Sequence, residues 1–242
     1  RAAYMSRLTR LVERDKNRAC VVGWSLGNES GHGTHHEAMA AWVRSRDPTR
    51  FVQYESGASK PSASDVVCPM YGRVEFCEEV VADPSEGRPL VLCEYSHAMN
   101  NSNGNLDDYW ALFRSNPRVQ GGFVWDLVDQ GLDCDVGAGG ERRETFWGYG
   151  GDFGDRPNDG AFCINGICWP DRTPKPAMEE FRFLQQPVAF SRLRVEGDVL
   201  VVTVENRYEA ASLAGVELRW RCLADSGAET AAGALEVPGG GA

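Results

Sequence analysis

The sequence is poor in the features that mark several broad classes of protein. Lysine and arginine together number 25 against 35 aspartates and glutamates, and the formal net charge is -10. This balance argues against a nucleic-acid surface and against binding to anionic membranes. No apolar run reaches the roughly 18 residues of a membrane span, and the first residues lack the apolar core and cleavage site of a secretion signal. The composition favours a neutral or weakly charged small molecule as the partner.

Two further absences concern the cellular compartment and the limits of the chain. The eight cysteines include no CxxC pair, and most lie within apolar runs. We therefore expect free, buried thiols and a reducing, cytoplasmic compartment, with disulfide pairing as the alternative. The chain has no initiator methionine and opens on a helical pattern. We expect it to begin inside a longer protein, so that targeting segments could lie outside it.

The composition is that of a globular protein, with 42% hydrophobic and 25% charged residues. Up to about residue 128, strand-like runs alternate with helical patterns or loops, which predicts βαβ units and a parallel sheet. Five strands are too few to close a (β/α)8 barrel. The strand-like runs cover residues 21–26, 51–55, 65–70, 89–95 and 121–128. Helices are predicted at 5–18, 34–46 (with Thr34 as N-cap) and 106–116, and a short helical or irregular segment at 74–82.

The pattern changes twice after this region. Residues 130–181 are rich in Gly, Asp, Asn, Pro and aromatics, which indicates a long functional loop. From about Pro187, apolar runs at 188–190, 199–204 and 216–220 indicate strands of an antiparallel sandwich, whereas residues 228–242 thin into alanine and glycine. We expect a second, all-β domain that is cut short.

Two glutamates stand at the ends of apolar runs. Glu29 follows the run at 21–26, and Glu94 closes the run at 89–95. The carboxyl ends of strands are where α/β barrels hold their chemistry, and glycoside hydrolysis needs a pair of carboxylates. On residue type and position alone the signal is weak, because such glutamates are more often solvated or paired with a cation.

Five motifs in a fixed order surround these glutamates: WSLGNESGHG, CPMY, LCEYSHAM, GGFVWDLVDQ, and GGDFGDRPND followed by FCINGI. They resemble the catalytic barrel of the large β-galactosidases of glycoside hydrolase family 2, over about residues 5–187. The resemblance implies that the five strands are barrel strands four to eight. Residues 1–186 would then be the C-terminal part of a TIM barrel, and residues 187–242 the start of an immunoglobulin-like β-sandwich.

The resemblance also implies an activity, the removal of terminal non-reducing β-D-galactose from β-galactosides such as lactose. Glu29 would be the acid/base and Glu94 the nucleophile of a retaining double displacement. In the first step Glu29 must carry a proton and Glu94 must be ionised, with the two carboxyl groups about 5 to 5.5 Å apart.

Five further residues are assigned to the sugar site by the resemblance. Asn28 would bind the sugar 2-hydroxyl, Tyr71 would hydrogen-bond the nucleophile, and His97 would donate to a galactosyl hydroxyl. Trp125 would form an apolar floor under the sugar, and Asn165 would belong to the site as well. Taken without the motifs, these residue types would more often be a turn asparagine, a rim tyrosine, a structural histidine and a core tryptophan.

The cofactors implied by the resemblance are Mg²⁺ and Na⁺. Glu29 would bind Mg²⁺ together with a Glu and a His from an upstream strand that this chain lacks. The Phe162 carbonyl and the Asn165 amide would bind Na⁺ with an absent upstream Asp. A zinc site at His32 and His36 is disfavoured, because a turn separates the two residues and no HExxH pattern is present.

Three questions stay open at this stage. Asn100 stands where the family usually has glycine, so its backbone could need the left-handed conformation, which asparagine tolerates. The rival functions are another family 2 exo-glycosidase, such as a β-glucuronidase or β-mannosidase, or an inactive carbohydrate-binding or structural fragment. CPMY, EYSHAM and FCINGI favour the galactosidase. The parent protein is expected to be a homo-oligomer.

Overall fold

A computed structural model describes residues 1–134 and 146–237. The chain divides into two compact units, Arg1–Leu184 and Gln185–Ala242. The helices are α1 (Ala2–Asp15), α2 (Thr34–Arg46), the short α3 (Ser56–Ser59), α4 (Val74–Ala82), α5 (Leu106–Ser115) and α6 (Pro176–Gln185). The strands of the first unit are β1 (Gly23–Ser25), β2 (Phe51–Gln53), β3 (Leu90–Tyr95), β4 (Val119–Val124), β5 (Leu132–Cys134) and β6 (Phe146–Gly148).

Two parallel strand pairs form the centre of the first unit. β1 pairs with β2, and β3 pairs with β4. Residues 65–70 lie between the two pairs: the Asp65 N–H donates to the Val52 carbonyl at 2.8 Å, and Val67 forms a parallel bridge with Leu90. The predicted parallel arrangement is therefore present, with helices α2, α4 and α5 between the strands in sequence.

The strand predicted at residues 65–70 is wrong as a regular strand, since this segment forms only isolated bridges. Side chains take the place of a backbone ladder on the side facing β2. The Val52 N–H donates to the Asp65 carboxylate at 2.7 Å, and the Tyr54 N–H donates to Ser64 Oγ at 3.2 Å. Pro69 adds a position with no N–H to donate.

Two apolar clusters hold the helices against these strands. One joins α1 and α2 to β1 and β2 through buried Val12, Val43 and Val52. The other joins α5 and α6 to β3 and β4 through buried Leu92, Leu106, Val119 and Phe181. The helical spacing of Leu8 and Val12 gives α1 the buried stripe that offsets its ordering entropy.

Several predicted boundaries move. α1 covers Ala2–Asp15 rather than 5–18, and β1 and β2 are three-residue strands within the predicted runs. The N-cap of α2 is Gly33, in an extended conformation, and Thr34 is the first helical residue. β4 covers Val119–Val124 rather than 121–128. It ends before Asp126 because the Asp126 N–H donates to the Asn165 carbonyl, at 2.6 Å, and no longer to β3.

The region predicted as one long loop, residues 130–181, contains regular structure. β5 and β6 form an antiparallel pair, a 3₁₀ turn covers Gly160–Cys163, and α6 begins at Pro176. Proline at the first helical position costs no hydrogen bond and is preorganised for a helix start. This helix was not predicted, because prolines on both sides of it are typical of loops. Residues 135–145 of the predicted loop lie outside the described residues.

The second unit contains two antiparallel pairs. β7 (Val188–Glu196) pairs with β8 (Val199–Asn206), and β9 (Glu217–Leu223) pairs with β10 (Glu229–Glu236). β10 lies in the alanine- and glycine-rich segment after residue 228, for which the sequence analysis predicted no strand. β10 is rich in alanine and glycine, which have low strand propensity. At Gly233 an added Cβ would lie 2.8 Å from the Trp220 ring, so the indole packs closely over a residue without a side chain.

The cysteines follow the prediction only in part. All eight are free, and Cys68, Cys77, Cys134 and Cys168 are buried, but Cys20 and Cys222 are exposed. Cys20 precedes β1 rather than lying inside it, and β9 exposes most of its side chains. Within the described ranges, no helix combines the length and the apolar character needed to cross a membrane.

Candidate active site

Glu94 and Tyr71 form the most closely connected pair of the predicted site residues. Glu94 is the fifth residue of β3 and is only 8% exposed. The Tyr71 hydroxyl donates to Glu94 Oε2 at 2.6 Å, and the Tyr71 N–H donates to the Glu94 carbonyl at 2.8 Å. Tyr71 follows the bridge between Met70 and Glu94 and has a left-handed backbone, with φ of 51°. Backbone pairing thus brings the tyrosine hydroxyl to the carboxylate.

The electrostatics around Tyr71 connect it to both glutamates. Burial raises the pKa of Tyr71 above its usual value, the hydrogen bond to Glu94 raises it further, and the charges of Glu94 and Glu29 act in the same direction. Tyr71 is therefore a neutral hydrogen-bond donor at ordinary pH. The charges of both glutamates thus act on the same hydroxyl.

Glu29 lies in the loop after β1. Its side chain is exposed, and its backbone is left-handed, with φ of 46°. The Glu29 N–H donates to Glu55 Oε1 at 2.6 Å. Glu29 and Glu55 line a cavity of about 350 Å³ together with residues that include Met70 and Phe76. This volume is at the lower end of the range for small-molecule sites, roughly 300 to 1,000 Å³.

Glu55 is a site residue that the sequence analysis missed. It follows β2 by two residues and is 8% exposed, and Ser56 Oγ donates to the same oxygen that accepts from Glu29, at 2.7 Å. The run at residues 51–55 ends in a glutamate, and Glu29 and Glu94 likewise lie at or just after the ends of their runs. The signal used for those two residues would have found the third.

His97 lies beside Tyr71. The two ring centroids are 5.7 Å apart, and the His97 ring is 6.3 Å from that of Phe162. Trp125 is half-buried, and its backbone holds the loop that carries His97: the Ala98 N–H donates to the Trp125 carbonyl at 2.8 Å. The structure therefore brings Tyr71, Glu94 and His97 together. In the described part of the chain, Asn28 and Trp125 have no side-chain hydrogen bond to them.

Asn165 has the orphaned atom that a hard cation could use. It is 2% exposed, and within the described ranges its Oδ1 has no hydrogen-bond partner. Buried oxygens of this kind need a donor or a cation. Phe162 lies three residues earlier, in the 3₁₀ turn that covers Gly160–Cys163. The residues present thus fit the Na⁺ expectation, whereas for Mg²⁺ this chain offers Glu29 alone of the expected ligands.

His32 and His36, where a zinc site was disfavoured, make aromatic ring contacts. His36 is buried and stacks on Tyr54 at 4.4 Å, and the His32 ring is 6.5 Å from that of His36. Burial lowers the pKa of His36, with further contributions from His32 and His35. Among the described residues, no group of three or more His, Cys, Asp or Glu side chains could hold a metal ion.

Asn100 has φ of 60°, which confirms its left-handed backbone.

Glutamates at the carboxyl ends of parallel strands, with helices between the strands, are typical of a TIM-barrel hydrolase. Residues 1–190 match the TIM barrel domain of Glycosyl hydrolases family 2. The chain belongs to glycosyl hydrolase family 2.

Curated relatives share close to half of the residues. A protein of Photobacterium profundum named "Beta-galactosidase" is 47% identical over 96% of this chain and 23% of its own length. A "Beta-galactosidase" of Pseudoalteromonas haloplanktis is 51% identical over 78% of this chain and 19% of its own length. The chain thus spans about a quarter or less of the curated relatives it matches.

Solved structures of lower identity share the fold. The crystal structure of Ruminococcus gnavus β-glucuronidase matches with a TM-score of 0.52 at 20% identity, over 75% of this chain and 35% of that chain. A putative β-galactosidase from Bacteroides fragilis matches with a TM-score of 0.50 at 16% identity, over 94% of this chain and 37% of that chain. Both support the TIM-barrel fold.

Proposed function

We propose that this chain is part of a retaining β-galactosidase that removes terminal non-reducing β-D-galactose from β-galactosides such as lactose. The observation that carries the proposal is the 2.6 Å hydrogen bond from Tyr71 to Glu94 at the end of β3. It gives the buried carboxylate a fixed orientation in the region where TIM barrels bind substrate. The names of the relatives at 47% and 51% identity support galactose as the sugar.

Glu94 is the proposed nucleophile. Tyr71 binds Oε2, so Oε1 is the oxygen that attacks the anomeric carbon while the bond to the leaving oxygen breaks. In the same step Glu29 gives its proton to the leaving oxygen. Glu29 then takes a proton from water, the water oxygen attacks the anomeric carbon, and Glu94 leaves as a carboxylate. The two inversions retain the configuration of the sugar.

The remaining residues would bind the sugar and orient it. Asn28 precedes Glu29 and is assigned to the 2-hydroxyl, where a hydrogen bond strengthens as the oxocarbenium ion develops. His97, beside Tyr71, is assigned to another hydroxyl. Trp125 is assigned to the apolar face of the ring, and Asn165 completes the set.

Two cations belong to the proposal. The Phe162 carbonyl and Asn165 Oδ1 would bind Na⁺, and Glu29 would bind Mg²⁺, with the remaining ligands supplied from outside this segment. When bound, such cations supply positive charge that fixes carboxylate and hydroxyl oxygens. The orphaned Asn165 Oδ1 supports the Na⁺ assignment.

The proposed architecture is larger than the segment. β1 to β4 and the residues 65–70 would be barrel strands four to eight, residues 1–186 the C-terminal part of the barrel, and residues 187–242 the start of a β-sandwich. The parent protein would act as a homo-oligomer on a small galactoside, with neither nucleic acid nor membrane as partner. Eight free cysteines support a reducing, cytoplasmic location.

The test uses the full-length protein that contains this segment. A chromogenic β-galactoside should be hydrolysed by the wild type, and Glu94→Gln should lower the rate by at least about 10⁴-fold, since a lost nucleophile removes the covalent route. Equal rates for wild type and variant would refute the proposal. If the wild type hydrolyses the matching β-glucuronide or β-mannoside faster than the β-galactoside, the protein is instead a β-glucuronidase or a β-mannosidase.

A second measurement addresses the segment itself. A 2-fluoro-galactosyl inactivator should leave a mass adduct that maps to Glu94. An adduct on the isolated segment would exclude the inactive-fragment alternative, and an adduct on the full-length protein alone would support it for the segment.

A further inference from the structure

We propose that Glu55 is the positioning residue of the acid/base: it binds the backbone of Glu29 and so fixes the place from which Glu29 delivers its proton. This inference rests on the proposed function. It is carried by the hydrogen bond from the Glu29 N–H to Glu55 Oε1, at 2.6 Å.

The contact is placed where it can control the Glu29 side chain. Glu29 has a left-handed backbone, with φ of 46°, a conformation that residues other than glycine adopt only when surrounding contacts hold it. A hydrogen bond from an N–H to a carboxylate is about twice as strong as one between neutral groups. Glu55 therefore holds the chain at the residue that carries the acid/base, and its release would let the carboxyl group move.

Glu55 is itself fixed from the other side. It is 8% exposed, and Ser56 Oγ donates to the same Oε1 at 2.7 Å. The preceding residue, Tyr54, is fully buried and holds the same loop: its hydroxyl donates to the Gly31 carbonyl and lies 3.3 Å from Ser30 Oγ. Two consecutive residues after β2 thus hold the loop from Glu29 to Gly31.

The cavity supports the same role. Glu29 and Glu55 both line it, so the positioning contact lies at the edge of an open space beside the acid/base. A general acid must reach the leaving oxygen within hydrogen-bond distance. A displacement of about 1 Å at such a group costs up to about 10²-fold in rate.

The test compares two substrates on each preparation of the full-length enzyme. Methyl β-galactoside has a poor leaving group and needs the proton of Glu29, whereas dinitrophenyl β-galactoside has a good leaving group and does not. The quantity measured is kcat/KM, which reports the first step for both substrates. Because misfolded protein lowers both values equally, their ratio is independent of how much of a variant folds.

Glu55→Ala should lower kcat/KM for methyl β-galactoside by about 10- to 100-fold and that for the dinitrophenyl substrate by less than about 3-fold. Glu55→Gln keeps an oxygen acceptor, so its ratio should change by less than that of Glu55→Ala. Glu29→Gln is the reference for loss of the acid, with about 10²- to 10⁴-fold on the methyl substrate.

Asp47→Asn is the matched control. Asp47 is as buried as Glu55, at 8%, but it precedes β2 and accepts hydrogen bonds from Trp24, Thr49 and Arg50. This variant should change kcat/KM by the same factor for both substrates. If Glu55→Ala lowers kcat/KM equally for both substrates, or lowers it for neither substrate, the inference on Glu55 is overturned.

The outcomes separate the two proposals. A wild type that hydrolyses neither galactoside overturns the proposed function and with it the inference. A leaving-group effect in Glu29→Gln without one in Glu55→Ala overturns only the role of Glu55.

Discussion

Tyr71 and Glu94 are joined twice, by a backbone hydrogen bond of 2.8 Å and by a side-chain hydrogen bond of 2.6 Å. The first sets the position of Tyr71 beside β3, and the second directs its hydroxyl to the carboxylate. Because the raised pKa of Tyr71 keeps the hydroxyl protonated, this contact persists well into the alkaline range. The pair is thus a preorganised donor and acceptor, and its role can be tested directly.

Tyr71→Phe removes the hydroxyl but keeps the ring. We expect kcat/KM for a β-galactoside to fall about 10²-fold, the usual cost of losing one oriented donor to a reacting group, with the melting temperature little changed. Tyr109→Phe is the control, since its hydroxyl donates to the Gly72 carbonyl and not to a predicted site residue. Full activity in Tyr71→Phe would contradict the assigned role.

Asn165→Ala removes the orphaned buried oxygen. In the full-length enzyme, we expect the Na⁺ concentration that gives half-maximal activation to rise at least about tenfold, because each ligand of a hard cation contributes to its affinity. Asn165→Asp, which keeps an oxygen at this position, should stay closer to the wild type. Activity is measured with Na⁺ replaced stepwise by choline. Identical Na⁺ dependence in all three proteins would remove Asn165 from the site.

Gly166→Ala tests the close packing next to Asn165. A Cβ at Gly166 would lie 2.1 Å from the Asp129 nitrogen and 2.2 Å from the Val128 carbonyl carbon, so backbone would have to move. We expect a loss of about 2 to 4 kcal/mol in the free energy of unfolding, measured with denaturant. Gly104→Ala is the control, because its added Cβ would meet nothing within 4 Å. Equal stability of the two variants would disprove the packing argument.

Glu86 gives the stability a dependence on pH. Its hydrogen bonds with Arg88 lower the pKa of Glu86 from 4.5 to about 2. A lowered pKa stabilises the fold above the unfolded value, so this contribution should be present above pH 4.5 and should disappear between pH 4.5 and about 2. We expect about 1 kcal/mol, allowing for partial exposure.

Glu86→Gln should remove this part of the acid dependence of unfolding, measured by denaturant titration at several pH values. Glu179→Gln, which removes an exposed ion pair with Arg182, should leave the profile nearly unchanged. If both variants keep the wild-type profile, the pair of Glu86 and Arg88 does not contribute.

Local signals in the sequence were enough for part of the fold. α2 ends at Arg46 as predicted, and α4 covers residues 74–82, which were predicted as helical or irregular. Apolar spacing and the Asp47-Pro48 pair after α2 act within a few residues, so they can be recognised in the sequence. The same local reading failed for β10, where alanine and glycine form a strand only because β9 pairs with them and Trp220 covers Gly233. It also failed at residues 65–70, where Ser64 and Asp65 replace the backbone ladder toward β2.

For the site, the sequence by itself determined which residue types stand at the ends of the apolar runs, and its motifs indicated the family to which the chain belongs. Tertiary structure alone decided which of those residues meet. Tyr71 contacts Glu94 across 23 positions and Glu29 contacts Glu55 across 26. Such contacts depend on the register of neighbouring parallel strands, which no local pattern encodes. Likewise, only the fold shows that Asn165 Oδ1 is buried without a partner among the described residues, since burial is set by segments far apart in the chain.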